Sequence, residues 1–228
     1  TRKAGVKLQM GFMRRFDAEF QSAKQKIEAG IIGKPSTIKS TGHGPGVPPP
    51  WACDPATSIG MLAEVNSHDF DSVKWLMGSD IRRVYAEVEA IAIPELKEKY
   101  PDFYDRALVT LRFANGSLGL IDSACPVKYG YDARVEVLGT EGVMLIGELK
   151  YQAVVICKKE TGVYTSTFPS WRDRFREAYL EEDKHFTDCI INDKKPQATG
   201  EDGRAALEAV LAATKSFKEG KPVTLPLV

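Results

Sequence analysis

Seven short runs between residues 82 and 167 constrain the fold more than any other feature of the sequence. Several of them alternate apolar with polar residues, as in Arg134-Val135-Glu136-Val137, and a period of two is typical of strands with one buried face. Turn signals separate the runs at Asn115-Gly116, at residues 139–142 and at Glu160-Thr161-Gly162. The pattern predicts strands over residues 82–92, 106–113, 117–125, 131–138, 142–146, 153–158 and 163–167.

Helical patterns lie on both sides of this strand-rich region. Phe20, Ala23 and Ile27 follow Asp17 at helical spacing, and Gly30 ends that helix. Further helices are predicted in the second half of residues 60–77, over 174–192 and over 201–219, with strands over 7–12, over 36–41 and near 223, and an irregular loop over 42–55. This arrangement indicates an α+β fold with the helices gathered on one face of a large, mainly antiparallel sheet.

The composition is that of an ordinary globular protein with 228 residues, enough for one domain with a sizeable core. Its 31 basic and 31 acidic residues cancel, and no run of like charge stands out. This argues against a nucleic-acid or anionic-membrane partner. No segment reaches the roughly 18 consecutive apolar residues of a membrane span. We expect a small-molecule or protein partner.

The four cysteines, Cys53, Cys125, Cys157 and Cys189, lie far apart in the sequence. They form no Cys-x-x-Cys pair, so a zinc ribbon and a thioredoxin-like motif are excluded and no metal site is expected. Their apolar settings suit buried, reduced thiols in a reducing compartment, and the expected location is therefore cytoplasmic. The chain begins with Thr1 rather than Met, which leaves open whether Thr1 is the natural start.

His68 is the best candidate for a proton-transfer residue. Of the three histidines it alone combines a carboxylate four residues before it, Glu64, with carboxylates one and three residues after it, Asp69 and Asp71. A nearby carboxylate can fix the imidazole tautomer and raise its basicity, and a four-residue separation puts both groups on one side of a helical turn. The alternative is a structural histidine bonded to Asp71 or to backbone.

Several spaced motifs then point to a known family. In order along the chain they are residues 11–17 (Gly-Phe-Met-Arg-Arg-Phe-Asp), 31–35 (Ile-Ile-Gly-Lys-Pro), 60–71 (Gly-x-Leu-x-Glu-x-x-x-His-Asp-x-Asp), 129–142, 174–179 and 199–207. Together they resemble the Gfo/Idh/MocA oxidoreductases, and most of all the inositol 2-dehydrogenase group. The resemblance covers almost the whole chain.

The resemblance implies two domains, one that binds the cofactor and one that binds the substrate. Family members have an N-terminal Rossmann domain that binds NAD or NADP and ends in a Glu-Lys-Pro segment with a catalytic lysine, and neither is in this sequence. Residues 1–228 would be the C-terminal domain, which binds the substrate and forms a homo-oligomer through its sheet face. Alone it would bind little cofactor and catalyse nothing.

The family's Asp-x-x-x-His pair lies against the nicotinamide, and its histidine takes the hydroxyl proton. Carried over residue by residue, His68 is the general base and Glu64 stands at the acid position, where glutamate is one methylene longer than aspartate. The other two histidines, His43 and His185, are expected to be structural or solvated.

The resemblance also assigns substrate contacts to Arg14, Tyr131, Tyr179 and Asn66. Met13 is the only candidate for a cofactor contact in this chain. Each has a structural alternative. Arg14 could form a salt bridge at a strand end, with Asp17 as the suggested partner, and the tyrosines could pack in the core. For Asn66 the safer interpretation is a helix cap.

One segment departs from the family pattern. Inositol dehydrogenase-like chains have Arg-Asp-Pro before their proline run, where the aspartate meets substrate hydroxyls, whereas this chain has His43-Gly44-Pro45. A related sugar or cyclitol is therefore as good a candidate as inositol itself. The glycines of residues 42–46 do not open a helix, which argues against a phosphate-binding turn.

Two hypotheses follow. The first is the substrate domain of an NAD(P)-dependent dehydrogenase that acts on a polyol or sugar. The second is a non-catalytic module that associates through the sheet and carries a degenerate site. A lyase or hydrolase that uses bound NAD transiently is a smaller third alternative.

Overall fold

The computed structural model describes residues 2–160 and 162–227, without the side chain of Arg2. The turn expected at Thr161 and the start at Thr1 lie outside the described residues. The strands are β1 Pro35–His43, β2 Ile81–Glu89, β3 Arg106–Phe113, β4 Leu118–Ala124, β5 Val135–Gly139, β6 Val143–Ile146, β7 Lys150–Lys158, β8 Gly162–Thr167 and β9 Val223–Thr224.

Seven of these strands form one mixed sheet in the order β6-β5-β1-β4-β3-β2-β9. Its neighbours are antiparallel except for β1 and β4, which run parallel. The remaining two strands, β7 and β8, form a separate hairpin. The parallel pair places β1, the first strand of the chain, in the middle of the sheet. Its partner β4 lies about 80 residues later in the sequence, and Ser40 is opposite Ile121.

The helices are α1 Ala18–Glu28, α2 Pro50–Cys53, α3 Pro55–Ser58, α4 Met61–Glu64, α5 Ser67–Met77, α6 Leu96–Lys99, α7 Trp171–Arg174, α8 Arg176–Ile191 and α9 Gly200–Glu219, with 3₁₀ turns at Arg2–Ala4 and Met13–Phe16. Among the described residues, no helix combines the length and the apolar composition that a transmembrane helix requires.

Local signals define several helix ends. The Asp17 side chain accepts hydrogen bonds from the backbone N–H groups of Glu19 and Phe20 and so caps α1. Thr199 and Asp202 form a capping box at the start of α9. Helix α5 ends at Gly78, whose φ of 58° is in the left-handed region that glycine adopts without strain.

Burial along β3 shows how the layers are arranged. Ala107, Val109, Leu111 and Phe113 are buried, while the residues between them are exposed or partly exposed. The buried side of the sheet packs against α5 and α9 in one continuous core. The predicted α+β arrangement, with helices on one face, is confirmed.

Some expectations are wrong. Residues 7–12 form no strand, because this segment has only isolated backbone contacts such as Met10 N–H to the Ala198 carbonyl, at 2.9 Å. The loop over 42–55 contains α2 and the start of α3, whereas the helix predicted over 174–192 is found as α8. Cys157 is exposed on β7, whereas the other three cysteines are buried and all four are free.

The side of the sheet that faces away from the core carries several exposed apolar side chains. We call Leu138, Val143 and Leu145 the edge patch: they lie at the β5-β6 edge of the sheet and are 46%, 53% and 73% exposed. Leu138 and Val143 are register partners, and so are Glu136 and Leu145. Nearly every residue of the β7-β8 hairpin is also exposed, although an isolated two-stranded hairpin is marginally stable in water.

Candidate active site

Two consecutive arginines attach the Met13–Phe16 turn to the first turns of α5. Arg14 Nη1 lies 2.7 Å from Asp69 Oδ1. Arg15 makes a two-point contact with Asp71, with Nε 2.9 Å from Oδ2 and Nη2 2.6 Å from Oδ1. All four side chains are buried. Two paired charges therefore lie between the turn and the helix, in a region that would otherwise be apolar core.

Asp69 is the centre of a larger polar network. The Ser40 hydroxyl donates to its Oδ1 at 2.6 Å, and Asn66 Nδ2 donates to its Oδ2 at 2.9 Å. Ser123 in turn donates to Asn66 Oδ1. Burial by itself would raise the pKa of Asp69, but Arg14 and these hydrogen bonds hold that pKa below its usual value. Asp69 is therefore a carboxylate with several partners at neutral pH.

Gly42 explains how β1 can pass so close to this network. A Cβ atom at Gly42 would lie 2.4 Å from Asp69 Oδ2 and 2.6 Å from Asn66 Nδ2. The glycine is therefore required by close packing of the strand against α5.

The His68 ring is partly exposed and lies edge-on to Phe12, with ring centroids 6.0 Å apart. Its Nδ1 is buried and has no hydrogen-bond partner among the described residues. Burial, then the positive charge of Arg14, lowers the pKa of His68 to about 4, and Asp69 opposes this only in part. The imidazole is therefore neutral at pH 7 and its ring is not sealed in the core.

This overturns two expectations about His68. The surroundings lower its basicity rather than raise it. Asp71 is also not its partner, because that carboxylate is bonded to Arg15. The His68 backbone carbonyl accepts from the Ser72 hydroxyl at 2.6 Å, which is ordinary helix geometry for a serine.

Glu64 does not pair with His68 within the part of the chain that is described. The expected helical turn is interrupted, since α4 ends at Glu64 and α5 begins at Ser67, with Asn66 at φ −98° and ψ 2° between them. Glu64 instead lines a small cavity with Met61, Tyr104 and Cys125. Its role as the acid of the pair stays a prediction.

The two tyrosines also interact with Arg14. The Tyr131 hydroxyl is within hydrogen-bonding reach of the Arg14 guanidinium, and its ring meets Phe175 edge-on with centroids 6.1 Å apart. Tyr179 is partly exposed and packs edge-on against Trp171, at 5.5 Å between centroids. Burial, then Tyr131, raises the pKa of Tyr179 to about 12. Both hydroxyls are therefore neutral donors at pH 7.

Four of the expected ligand contacts lie beneath the surface of this chain. Met13 and Arg14 are 2% exposed, Asn66 is 0% exposed and Tyr131 is 8% exposed. Met13 packs in the core and offers no surface to a cofactor. Asn66 stands at the N-cap position of α5 but makes no capping hydrogen bond, so that interpretation is wrong. The suggested Arg14–Asp17 bridge is also wrong, because Asp17 pairs with Arg174.

The remaining histidines have partners elsewhere. His43 contacts the Tyr129 hydroxyl through Nδ1, and its Nε2 lies 3.1 Å from Asp122 Oδ1. His185 Nε2 accepts from the backbone N–H of Gln197 at 3.1 Å. Among residues 2–160 and 162–227 no cluster of His, Cys, Asp and Glu could hold a metal ion.

Sequence reasoning missed the two serines that support Asp69. A signal for them exists, because Ser40 follows the buried Ile38 and Ser123 follows the buried Ile121, each two residues along its strand. A period of two places these hydroxyls on the core side of the sheet, where a polar group needs a partner.

Comparisons with known proteins agree with this architecture. A family model described as "Oxidoreductase family, C-terminal alpha/beta domain" (GFO_IDH_MocA_C) matches residues 24–225. The chain is 38% identical, over 225 residues, to scyllo-inositol 2-dehydrogenase (NAD(+)) of Bacillus subtilis (strain 168). That match covers 99% of this chain and 64% of the relative.

Two solved structures share the fold. A probable dehydrogenase from Thermotoga maritima superposes with a TM-score of 0.91 at 35% identity, covering 98% of this chain and 67% of that one. Scyllo-inositol dehydrogenase from Lactobacillus casei, with bound NAD(H) and scyllo-inositol, gives 0.86 at 26% identity, covering 98% and 66%. The chain thus spans 64% of the length of the Bacillus relative and 66–67% of these structures. Since the family model covers most of the sequence and the solved structures have its fold, this chain belongs to the Gfo/Idh/MocA oxidoreductase family.

Proposed function

We propose that this chain is the substrate-binding domain of an NAD- or NADP-dependent dehydrogenase that oxidises a secondary alcohol of a cyclitol or sugar. The observation that carries the proposal is the uncharged, partly exposed imidazole of His68 beside the buried Arg14–Asp69 pair. Relatives named as inositol dehydrogenases support this substrate class. An inositol is the first substrate to test.

In this proposal His68 accepts the hydroxyl proton of the alcohol. A bound nicotinamide supplies the acceptor for the hydride that leaves the same carbon, so an alcohol and an oxidised cofactor give a ketone, a reduced cofactor and a proton. The nucleotide would be held mainly by another domain, because the described residues offer no glycine-rich turn that opens a helix. This chain alone is then expected to bind little cofactor and to catalyse nothing.

A proton acceptor works best when its pKa is near the working pH, and a pKa of about 4 for His68 is low for that task. The unpartnered Nδ1 suggests how the pKa could be corrected. A carboxylate brought to Nδ1 would raise the pKa, and Glu64, four residues earlier, is the proposed source. Arg14 and Asn66 act indirectly. Both donate hydrogen bonds to Asp69 and so fix its carboxylate, and Arg14 also positions the Tyr131 hydroxyl.

The full-length protein carrying this chain tests the proposal. His68→Ala should lose most NAD-dependent turnover of an inositol while NAD binding is unchanged, because only the proton acceptor has been removed. His185→Ala removes an imidazole bonded to backbone and should keep its turnover. Unchanged turnover of His68→Ala would refute the role of His68.

A second candidate function is a non-catalytic module that associates through its sheet. The separation of Glu64 from His68 favours a degenerate site, and the edge patch favours association with a second copy. This candidate predicts self-association without redox activity towards any polyol. An upstream, in-frame Gly-x-Gly-x-x-Gly followed by Glu-Lys-Pro in the gene would favour the enzyme instead.

A further inference from the structure

Two buried side-chain oxygen atoms, on Glu182 of α8 and on Gln9, have no role in the proton and hydride transfer proposed above. Glu182 is 8% exposed, and its Oε1 has no hydrogen-bond partner within the described residues. Oε1 of Gln9 is likewise buried and unpartnered, while Gln9 Nε2 donates to the Glu182 backbone carbonyl at 3.0 Å. Two residues in contact with each other thus each hold a buried side-chain oxygen without a donor. Because leaving buried acceptors unpaired is costly, this arrangement calls for donors from outside the described residues.

The two acceptors are continuous with the candidate site. Glu182 is three residues after Tyr179 on α8, so the two side chains share one face of the helix. The Tyr179 hydroxyl interacts electrostatically with Glu182 and also with Tyr131 and Arg14. A path of polar groups thus leads from His68 past Arg14 and the tyrosines to Glu182.

Resting on the proposed function, we infer that Glu182 and Gln9 form the far end of the polyol site, where their side-chain oxygens accept hydrogen bonds from substrate hydroxyls. A polyol suits this place because each hydroxyl is a neutral donor that can satisfy one buried acceptor. Burial, then Asp183, raises the pKa of Glu182 to about 7, so the carboxyl can also donate a proton to a hydroxyl oxygen. Glu182 would then help to decide which polyol is accepted.

Steady-state kinetics of the full-length protein test the inference. Glu182→Ala should raise the KM for the inositol that is turned over about tenfold, which corresponds to the loss of one good hydrogen bond. Its kcat and its KM for NAD should stay within about twofold of wild type, since the hydride and proton acceptors are untouched. Glu182→Gln keeps an acceptor oxygen and the side-chain shape, so it should recover part of the loss.

Glu181→Ala is the matched control. Glu181 is the preceding carboxylate on α8, is exposed and pairs with Lys184 at 2.8 Å. Its removal should leave both KM values unchanged. Gln9→Ala provides a second test at the same place and should raise the KM for the polyol in the same direction.

Monodeoxy analogues of the substrate sharpen the result. For the analogue that lacks the hydroxyl read by Glu182, wild type and Glu182→Ala should have equal KM values, because the same hydrogen bond is missing in both. The inference fails if Glu182→Ala lowers only the melting temperature, or if it changes the KM for NAD and not that for the polyol. A wild-type protein with no polyol turnover would refute the proposed function itself. An active wild type with an unchanged Glu182→Ala refutes only the inference.

Discussion

The contact between α5 and the Met13–Phe16 turn differs from the edge patch in where polar and apolar side chains lie: each region has the kind of side chain that is usual for the other. At α5, two arginines and two aspartates are buried where apolar side chains are the norm. At the edge patch, leucine and valine face water. Both arrangements cost free energy in the isolated chain.

This difference indicates separate roles for the two regions. A buried ion pair is weak evidence for stability, because an apolar replacement of similar volume is often no worse. Here the Arg14–Asp69 pair fixes a guanidinium that interacts with both Tyr131 and His68. An exposed apolar patch, in contrast, is typical of a surface that binds another molecule. Under the proposed function the inner region orients groups for proton transfer, and under the second candidate function the edge patch binds a second copy of the chain.

The largest expected effect comes from breaking the inner network at its centre. Asp69→Ala leaves the Arg14 guanidinium buried without its carboxylate, and should lower the free energy of unfolding by about 3–5 kcal/mol. Urea unfolding measures this. Asp80→Ala removes a carboxylate that is 77% exposed and paired with Lys74, and should change stability by about 0.5 kcal/mol or less. Similar small losses in both variants would show that the buried pair has no special role.

The pH dependence of stability tests the state of His68. Its pKa is about 4 in the folded protein and 6.5 ordinarily, so between these values the unfolded chain binds more protons. Stability should therefore be full above pH 6.5 and fall as the pH drops towards 4, by on the order of 3 kcal/mol for this group alone. His68→Ala should have a shallower slope over that window in chemical unfolding at several pH values. Parallel slopes for the two proteins would contradict a neutral, desolvated imidazole.

A single methyl group tests the close packing of β1 on the network. Gly42→Ala places a Cβ against Asp69 and Asn66 and should cost about 1–3 kcal/mol through overpacking. Gly46 is the matched control, since a Cβ there would have no atom within 4 Å. Thermal unfolding of the two variants should separate them clearly. Equal melting temperatures would mean that Asp69 and Asn66 can move aside for the added methyl group at no cost in stability.

The smallest effect on stability is expected at the edge patch. Leu145→Lys should change the free energy of unfolding by no more than about 0.5 kcal/mol, because the side chain is already solvated. It should nevertheless weaken self-association, which sedimentation velocity measures across a concentration series. Leu207→Lys, at a 44% exposed leucine on α9, should leave association unchanged. Equal behaviour of the two variants would exclude the edge patch as the contact.

Local patterns predicted much of the fold. The strand-like run over residues 106–113 predicted β3 with its bounds, and Gly30 predicted the end of α1. The strand expected over residues 7–12 failed because a short apolar run forms a strand only where a neighbour pairs with it. The Glu64–His68 contact failed for a related reason. It assumed one continuous helical turn, and the backbone leaves that geometry at Asn66.

The sequence by itself determined the periodicities, the caps and the motifs that place the chain in its family, because these depend on residues a few positions apart. Only the tertiary structure decided that Arg14 meets Asp69, 55 positions away, and that Ser123 reaches Asn66 across 57. Such pairings follow from the packing of α5 and the residue before it against the Met13–Phe16 turn and β4. The burial that sets the pKa of His68 follows from the same assembly, since desolvation belongs to the packed molecule and not to any one segment.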